Sequence, residues 1–140
     1  MSEPDVIRLD LPASFKYLNV VGACLDETLK RVDDLPEPES ISHDIQLAVH
    51  EICTNIVRHA YSDRAPERIR IMLAVNPDSR TLSVELRDTG RSFNPSEIKE
   101  PDLSQPQEGG LGIFLARTLM DDVRYETDTT SNRWYLSKAL

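Results

Sequence analysis

The sequence predicts an α+β sandwich, in which a mixed, mostly antiparallel sheet carries helices packed on one face. Three observations predict it. Strand segments alternate apolar and polar residues instead of running as continuous apolar blocks, the pattern of a sheet with one buried and one wet face. Helical segments place apolar residues three and four apart, which gives each helix one apolar stripe. The chain has 140 residues, 39% of them hydrophobic, which fits one domain over residues 1–140 around one core.

The elements follow in the order β-α-α-β-β-loop-α-β-β. Val6 to Leu11 alternates apolar and charged residues and reads as a short strand closed by Pro12. A helix from about Ser14 to Val32 has its apolar positions at Phe15, Leu18, Cys24, Leu25, Leu29 and Val32. Asp33 to Ser40, with Pro36 and Pro38, reads as a loop. A second helix is expected from about Ser42, taken as its N-cap with Asp44 in the first turn, to Tyr61. Its core stripe is Ile45, Val49, Ile52, Ile56 and Ala60. Ile69 to Val75 and Thr81 to Asp88 form a hairpin across the turn Asn76-Pro77-Asp78-Ser79. Residues 91–109 lack periodicity and carry Pro95, Pro101 and Pro106; a loop this long is either functional or disordered. Gly110 to Met120 reads as a helix with Leu111, Phe114, Leu115 and Leu119 inward. Two last strands, about Val123 to Glu126 and Arg133 to Leu136, flank the polar turn Asp128 to Asn132.

Bulk properties remove several function classes. A formal net charge of −8 argues against a grip on nucleic acid, which needs a lysine and arginine face. No apolar run approaches the roughly 20 residues of a membrane-spanning helix, and the N-terminus has no secretory pattern, so a cytoplasmic protein is expected. Cys24 and Cys53 lie within helical patterns without metal-ligand spacing and read as buried, reduced thiols.

Three places depart from plain packing. Glu51 and Asn55 are four apart on the second helix and therefore stack on one side of it. At about 100° per residue, Asn55 borders the apolar stripe and Glu51 lies about 40° further out, which places a carboxylate and an amide at the rim of the core. Asp88-Thr89-Gly90 ends a strand; it reads as a turn, or as an aspartate pointing into a pocket to accept from an amine. Gly109-Gly110-Leu111-Gly112 opens the last helix, and glycine is a poor helix former; unobstructed N–H groups there suit a phosphate, or the glycines form a hinge. Four of the chain's five glycines fall in these last two places, yet neither the P-loop nor the dinucleotide glycine pattern is present.

In sequence order these residues resemble the N-box, the D-x-G box and the G-x-G box of the GHKL superfamily, whose ATP-binding domain is the Bergerat fold. Within it they are most similar to the anti-sigma-factor serine kinases: Glu51-Ile52-Cys53-Thr54-Asn55 through His59-Ala60-Tyr61, Asp88-Thr89-Gly90-Arg91-Ser92-Phe93, and Gly109-Gly110-Leu111-Gly112-Ile113 through Leu119-Met120-Asp121. The resemblance covers nearly the whole chain.

That resemblance implies roles. Asn55 would ligate Mg²⁺, and Glu51 would be the catalytic base or positioning group for a protein serine hydroxyl. Asp88 would accept from the adenine amine beside Gly90. Gly109, Gly110, Leu111, Gly112 and Ile113 would hold the phosphates of ATP at the helix start, with residues 91–109 as lid. The implied substrate is a STAS-type anti-anti-sigma protein, the second partner a sigma factor, and the working form a homodimer. The alternative is a catalytically silent switch that holds a regulatory protein in a nucleotide-dependent way; the carboxylate of Glu51 favours the kinase. The family pattern is broken in two places: Ser92 stands at a glycine, and Ser131-Asn132 stands where Gly-Thr often opens the last strand pair.

Overall fold

A computed structural model describes residues 3–60, 67–90 and 111–140 of the chain. Five strands, β1 (Asp5–Pro12), β2 (Arg68–Asn76), β3 (Thr81–Asp88), β4 (Asp122–Thr127) and β5 (Asn132–Ala139), form one sheet in the order β1-β2-β3-β5-β4. Each described pairing is antiparallel. Three helices, α1 (Leu18–Leu29), α2 (Pro38–Asn55) and α3 (Leu111–Leu119), cover one face.

Alternation decides which face. Ile69, Ile71 and Leu73 of β2, Leu82, Val84 and Leu86 of β3, and Trp134 and Leu136 of β5 are buried. They meet Leu18, Val21, Leu25 and Leu29 of α1, Ile45, Val49 and Ile52 of α2, and Ile113 and Ala116 of α3. Each large apolar side chain fully withdrawn from water contributes about 1.5–3 kcal/mol, so this shared face holds the layers together. The opposite face is polar; there Glu85 bonds Arg87 and lies 3.4 Å from Arg133. The β2–β3 hairpin closes as its sequence suggests: Asn76 Oδ1 accepts from the N–H groups of Asp78 and Ser79 at 3.0 and 3.2 Å.

The structure corrects several local expectations. The first helix begins later, at Leu18, after a 3-10 turn at Phe15–Tyr17 that Ser14 caps. Phe15 consequently stays outside the core at 53% exposure, beneath the Arg58 guanidinium at 5.7 Å. The second helix starts four residues before Ser42, because Pro38 supplies the pre-set φ of a first helical turn. Ser42 is therefore no N-cap: it is buried, donates to Asp26 Oδ1 at 2.8 Å and accepts from Gln46 Nε2 at 2.8 Å, tying α2 to α1. Lys30 joins the same carboxylate, and these bonds hold the Asp26 carboxyl below its ordinary value. On α3 the buried positions are Ile113 and Ala116, followed by Met120 just past its end, with Phe114, Leu115 and Leu119 half-buried, so the inward face is rotated from the expected one. Cys53 is buried and its thiol is pushed up to about 12 by burial; Cys24 is half-buried, and both are free.

Candidate functional site

Two clusters of unusual side chains emerge on the helix-covered side. The first joins α2 to α3. Glu51 and Asn55 occupy the last turns of α2, both half-buried, as their place beside the apolar stripe predicts. Immediately after Asn55 the chain widens into a π-helical turn over Ile56–Ala60, a device found often at functional sites. Among the described residues neither Glu51 nor Asn55 has a side-chain hydrogen bond or ion pair. Among the described residues no buried side-chain polar atom is left unpartnered, so these two polar heads are not sealed in the core.

The start of α3 lies against Glu51. A Cβ placed on Gly112 would fall 2.5 Å from Glu51 Oε2 and 3.4 Å from Glu51 Cβ and Cδ. Glycine here answers a steric demand: any side chain would occupy the carboxylate's place. Ile113, next along, turns its side chain into the core at 2% exposure, which leaves only its backbone for a ligand. Gly109, Gly110, the segment 91–109, the side chains of Leu111, His59 and Ala60, and Tyr61 lie outside the described residues.

The second cluster closes the sheet end. Asp88 and Asn132 are direct partners across β3 and β5, both buried at 3% and 2% exposure on the helix side. Asn132 Nδ2 donates to Asp88 Oδ1 at 2.8 Å and to the Gly90 carbonyl at 3.0 Å. The Gly90 N–H donates to the same Oδ1 at 2.9 Å. Burial pushes the Asp88 carboxyl above its ordinary value, and the bonds from Asn132 and Gly90 oppose that rise. Thr127 Oγ1 and the Tyr125 hydroxyl donate to Asn132 Oδ1 at 2.7 and 3.1 Å. Asn132 is delivered by a tight turn in which Asp128 Oδ1 accepts from the N–H groups of Thr130 and Ser131. Those bonds hold the Asp128 carboxyl below its ordinary value.

The sequence places Asn132 at the end of the turn and marks Ser131-Asn132 as a departure from the family pattern, without giving Asn132 a role in the site. The parity of β5 carries the signal: Asn132, Trp134 and Leu136 share one face, so an amide heads a buried row opposite Asp88.

This arrangement suits a nucleotide and a hard cation. The carboxylate of Asp88 is a fixed, buried acceptor with Oδ2 unbonded among the described residues. Asn55 offers an amide oxygen, a ligand type that a magnesium ion accepts beside phosphate and water. Among the described residues there is no group of three His, Cys, Asp or Glu side chains that would form an all-protein metal cage. A groove of about 600 Å³ lies at the other end of the sheet, lined by Cys24, Asn76, Arg80 and Leu140 among others. It touches none of these residues.

Comparison with known proteins matches residues 11–138 to the family described as the histidine kinase-like ATPase domain. The serine-protein kinase RsbW of Bacillus velezensis is 33% identical over 138 residues, covering 89% of this chain and 80% of that protein. Its counterpart in Oceanobacillus iheyensis is 34% identical over 132 residues, with the same coverage of 89% and 80%. Among solved structures, the RsbU and RsbW domains of a Mycobacterium tuberculosis protein superpose with a TM-score of 0.70 at 20% identity. That match covers 97% of this chain, which spans about a third (32%) of the solved one. The histidine kinase domain of an Erythrobacter litoralis blue-light-activated kinase gives 0.60 at 24% identity, covering 100% of this chain and 65% of that one. Both likenesses concern the fold.

Proposed function

The chain belongs to the histidine kinase-like ATPase family and, within it, to the ATP-dependent serine-protein kinases, and from that premise we propose that it phosphorylates a serine of a STAS-type anti-anti-sigma protein and sequesters a sigma factor. The observation that carries this reading is the carboxylate of Glu51, without a partner among the described residues and held against Gly112 where α3 begins.

The chemistry assigns each side chain a task. Glu51 accepts the proton of the substrate serine hydroxyl as its oxygen attacks the γ-phosphorus; the bond from that phosphorus to the β–γ bridging oxygen breaks, and ADP leaves. Transfer of this kind depends on placement and charge neutralisation more than on covalent assistance. Bound Mg²⁺ would neutralise charge on the phosphate oxygens. Asn55 supplies an amide oxygen for that ion. Asp88 Oδ2 accepts from the adenine amine, and Gly90 keeps side-chain bulk from the base. The backbone of Gly109, Gly110, Leu111, Gly112 and Ile113 holds phosphates, Gly112 while leaving room for Glu51.

The same reading makes the working form a cytoplasmic homodimer that exchanges one protein partner for another. Among the described residues no helix is long and apolar enough to cross a membrane.

Calorimetric titration with Mg-ATP, followed by transfer of labelled phosphate to a purified STAS-type antagonist, tests the reading. One-site binding and a phosphoserine on the antagonist are expected. Binding without transfer to any such antagonist overturns the kinase assignment, and absence of binding at millimolar nucleotide overturns the site.

A further inference from the structure

Asn132 stands where the family pattern often has threonine, and its surroundings define a role for the amide. Both amide hydrogens have acceptors, Asp88 Oδ1 and the Gly90 carbonyl. The amide oxygen receives two hydroxyls, those of Tyr125 and Thr127. Turning the amide over would set its oxygen against two acceptors, Asp88 Oδ1 and the Gly90 carbonyl, so the orientation is determined. Thr127 is the register partner of Asn132 on β4, and Asp88 its partner on β3, so one row across three strands fixes the group.

Resting on the ATP-site reading of Asp88, the geometry points to Asn132 as the positioning residue that turns the Asp88 carboxylate and keeps it an acceptor, so that the site selects adenine over guanine. Oδ1 is engaged by Asn132 and by the Gly90 N–H, which leaves Oδ2 for the base. Adenine presents an amine donor there, and guanine presents a carbonyl acceptor at the same position. An ionised carboxylate attracts the first and repels the second. Burial favours protonation of Asp88, and the hydrogen bond from Asn132 opposes it. Without that bond the carboxyl takes up a proton more readily and can then donate to guanine. Asn132 also holds the Gly90 carbonyl, which ties the Asp88-Thr89-Gly90 turn to β5.

The test uses the full chain and two variants, Asn132→Ala and the double variant Tyr125→Phe with Thr127→Val, which keeps the amide but removes the hydroxyls that orient it. Asp88 is titrated by carboxyl NMR without nucleotide, and ATP and GTP affinities are measured in parallel. Loss of the amide is expected to raise the pH at which Asp88 titrates. It should weaken ATP binding about tenfold to a hundredfold and to shrink the preference for ATP over GTP, more so at acid pH. The double variant should show the same changes in smaller degree. Folded variants with unchanged Asp88 titration and unchanged ATP-to-GTP ratio overturn the inference. If the wild-type chain binds neither nucleotide, the ATP-site reading and the base selection fall together. A shifted Asp88 titration in Asn132→Ala would then still uphold the positioning role.

Discussion

Glu51 Oε2 stands 2.5 Å from where a side chain at position 112 would begin, so the carboxylate of α2 and the bare backbone of Gly112 share one space. The two residues come from helices separated in sequence by the β2–β3 hairpin and residues 91–110, and their closeness depends on the packing of α2 against α3. Glycine costs a helix interior about 1 kcal/mol relative to alanine, which is an upper bound for Gly112 in the first turn of α3. A fold built for stability alone would not retain it. Glu51 also gains nothing structural from its place, since it has no partner among the described residues.

Gly112→Ala should therefore separate activity from stability. The atom met first is the far end of a flexible side chain, so Glu51 swings aside and the fold survives, with a stability change within about 1 kcal/mol. Phosphate transfer should fall at least about tenfold, because the carboxylate leaves its position. In a Glu51→Ala background the same substitution meets no obstacle and should stabilise by up to about 1 kcal/mol. Thermal denaturation of the four proteins measures the coupling; additive effects would show that the two residues do not compete for space.

Glu51 and Asn55 should fail differently although they are one helical turn apart. Glu51→Ala is expected to keep nucleotide affinity and reduce transfer to the antagonist by about 10²–10⁴-fold, the usual range for a positioned base. Asn55→Ala should lose Mg-dependent nucleotide binding while the melting temperature stays within a few degrees, since its amide has no partner among the described residues whose loss would cost stability. Titrations with and without Mg²⁺ distinguish the two. Equal Mg-ATP affinity for Asn55→Ala and wild type would remove Asn55 from the site.

The sequence made legible what periodicity and residue type control. The alternating strands gave the single buried face, and helical spacing put Glu51 and Asn55 at the rim, where they are found half-buried. What it hid depends on contacts between distant segments. Ser42 has the residue type of an N-cap, yet Pro38 starts α2 earlier and leaves Ser42 to bond Asp26 on α1. Asn132 looks like a turn residue because Asp128, Thr130 and Ser131 surround it. Only the pairing of β3 with β5 reveals it as the partner of Asp88. The inward face of α3 was misjudged because four apolar side chains, Phe114, Leu115, Leu119 and Met120, offer two overlapping stripes, and packing on α2 selects the one through Ile113, Ala116 and Met120.

The buried role of Ser42 has a measurable consequence. At an N-cap, glycine replaces serine for a few tenths of a kcal/mol. In a helix interior glycine costs about 1 kcal/mol relative to alanine, and the bonds to Asp26 and Gln46 are lost as well. Ser42→Gly should thus destabilise by about 1.5–3 kcal/mol and Ser42→Ala by about 0.5–1.5 kcal/mol, read from urea midpoints at constant m. A glycine variant as stable as the alanine one would restore the N-cap assignment.

Acid should impair nucleotide binding before it unfolds the chain. Burial raises the Asp88 carboxyl above its ordinary 3.8, so Asp88 becomes protonated at a pH where free aspartates are still ionised. A raised value in the folded state means that the contribution of Asp88 to stability is present below 3.8 and is lost as pH rises through the raised value; acid does not unfold the protein through this group. Asp128 has the opposite sign: its depressed value makes the turn's contribution full above 3.8 and lost as pH falls below that. Between the two windows the chain stays folded while Asp88 Oδ2 gains a proton and ceases to accept from the adenine amine, since Oδ1 already receives Gly90 and Asn132. ATP affinity measured stepwise from neutral pH towards pH of about 4 should decline while the melting temperature holds. Asp88→Asn should bind weakly without the additional slope, which controls for protonation of the nucleotide itself. An affinity as flat in wild type as in Asp88→Asn over that range would show that Asp88 does not meet the base.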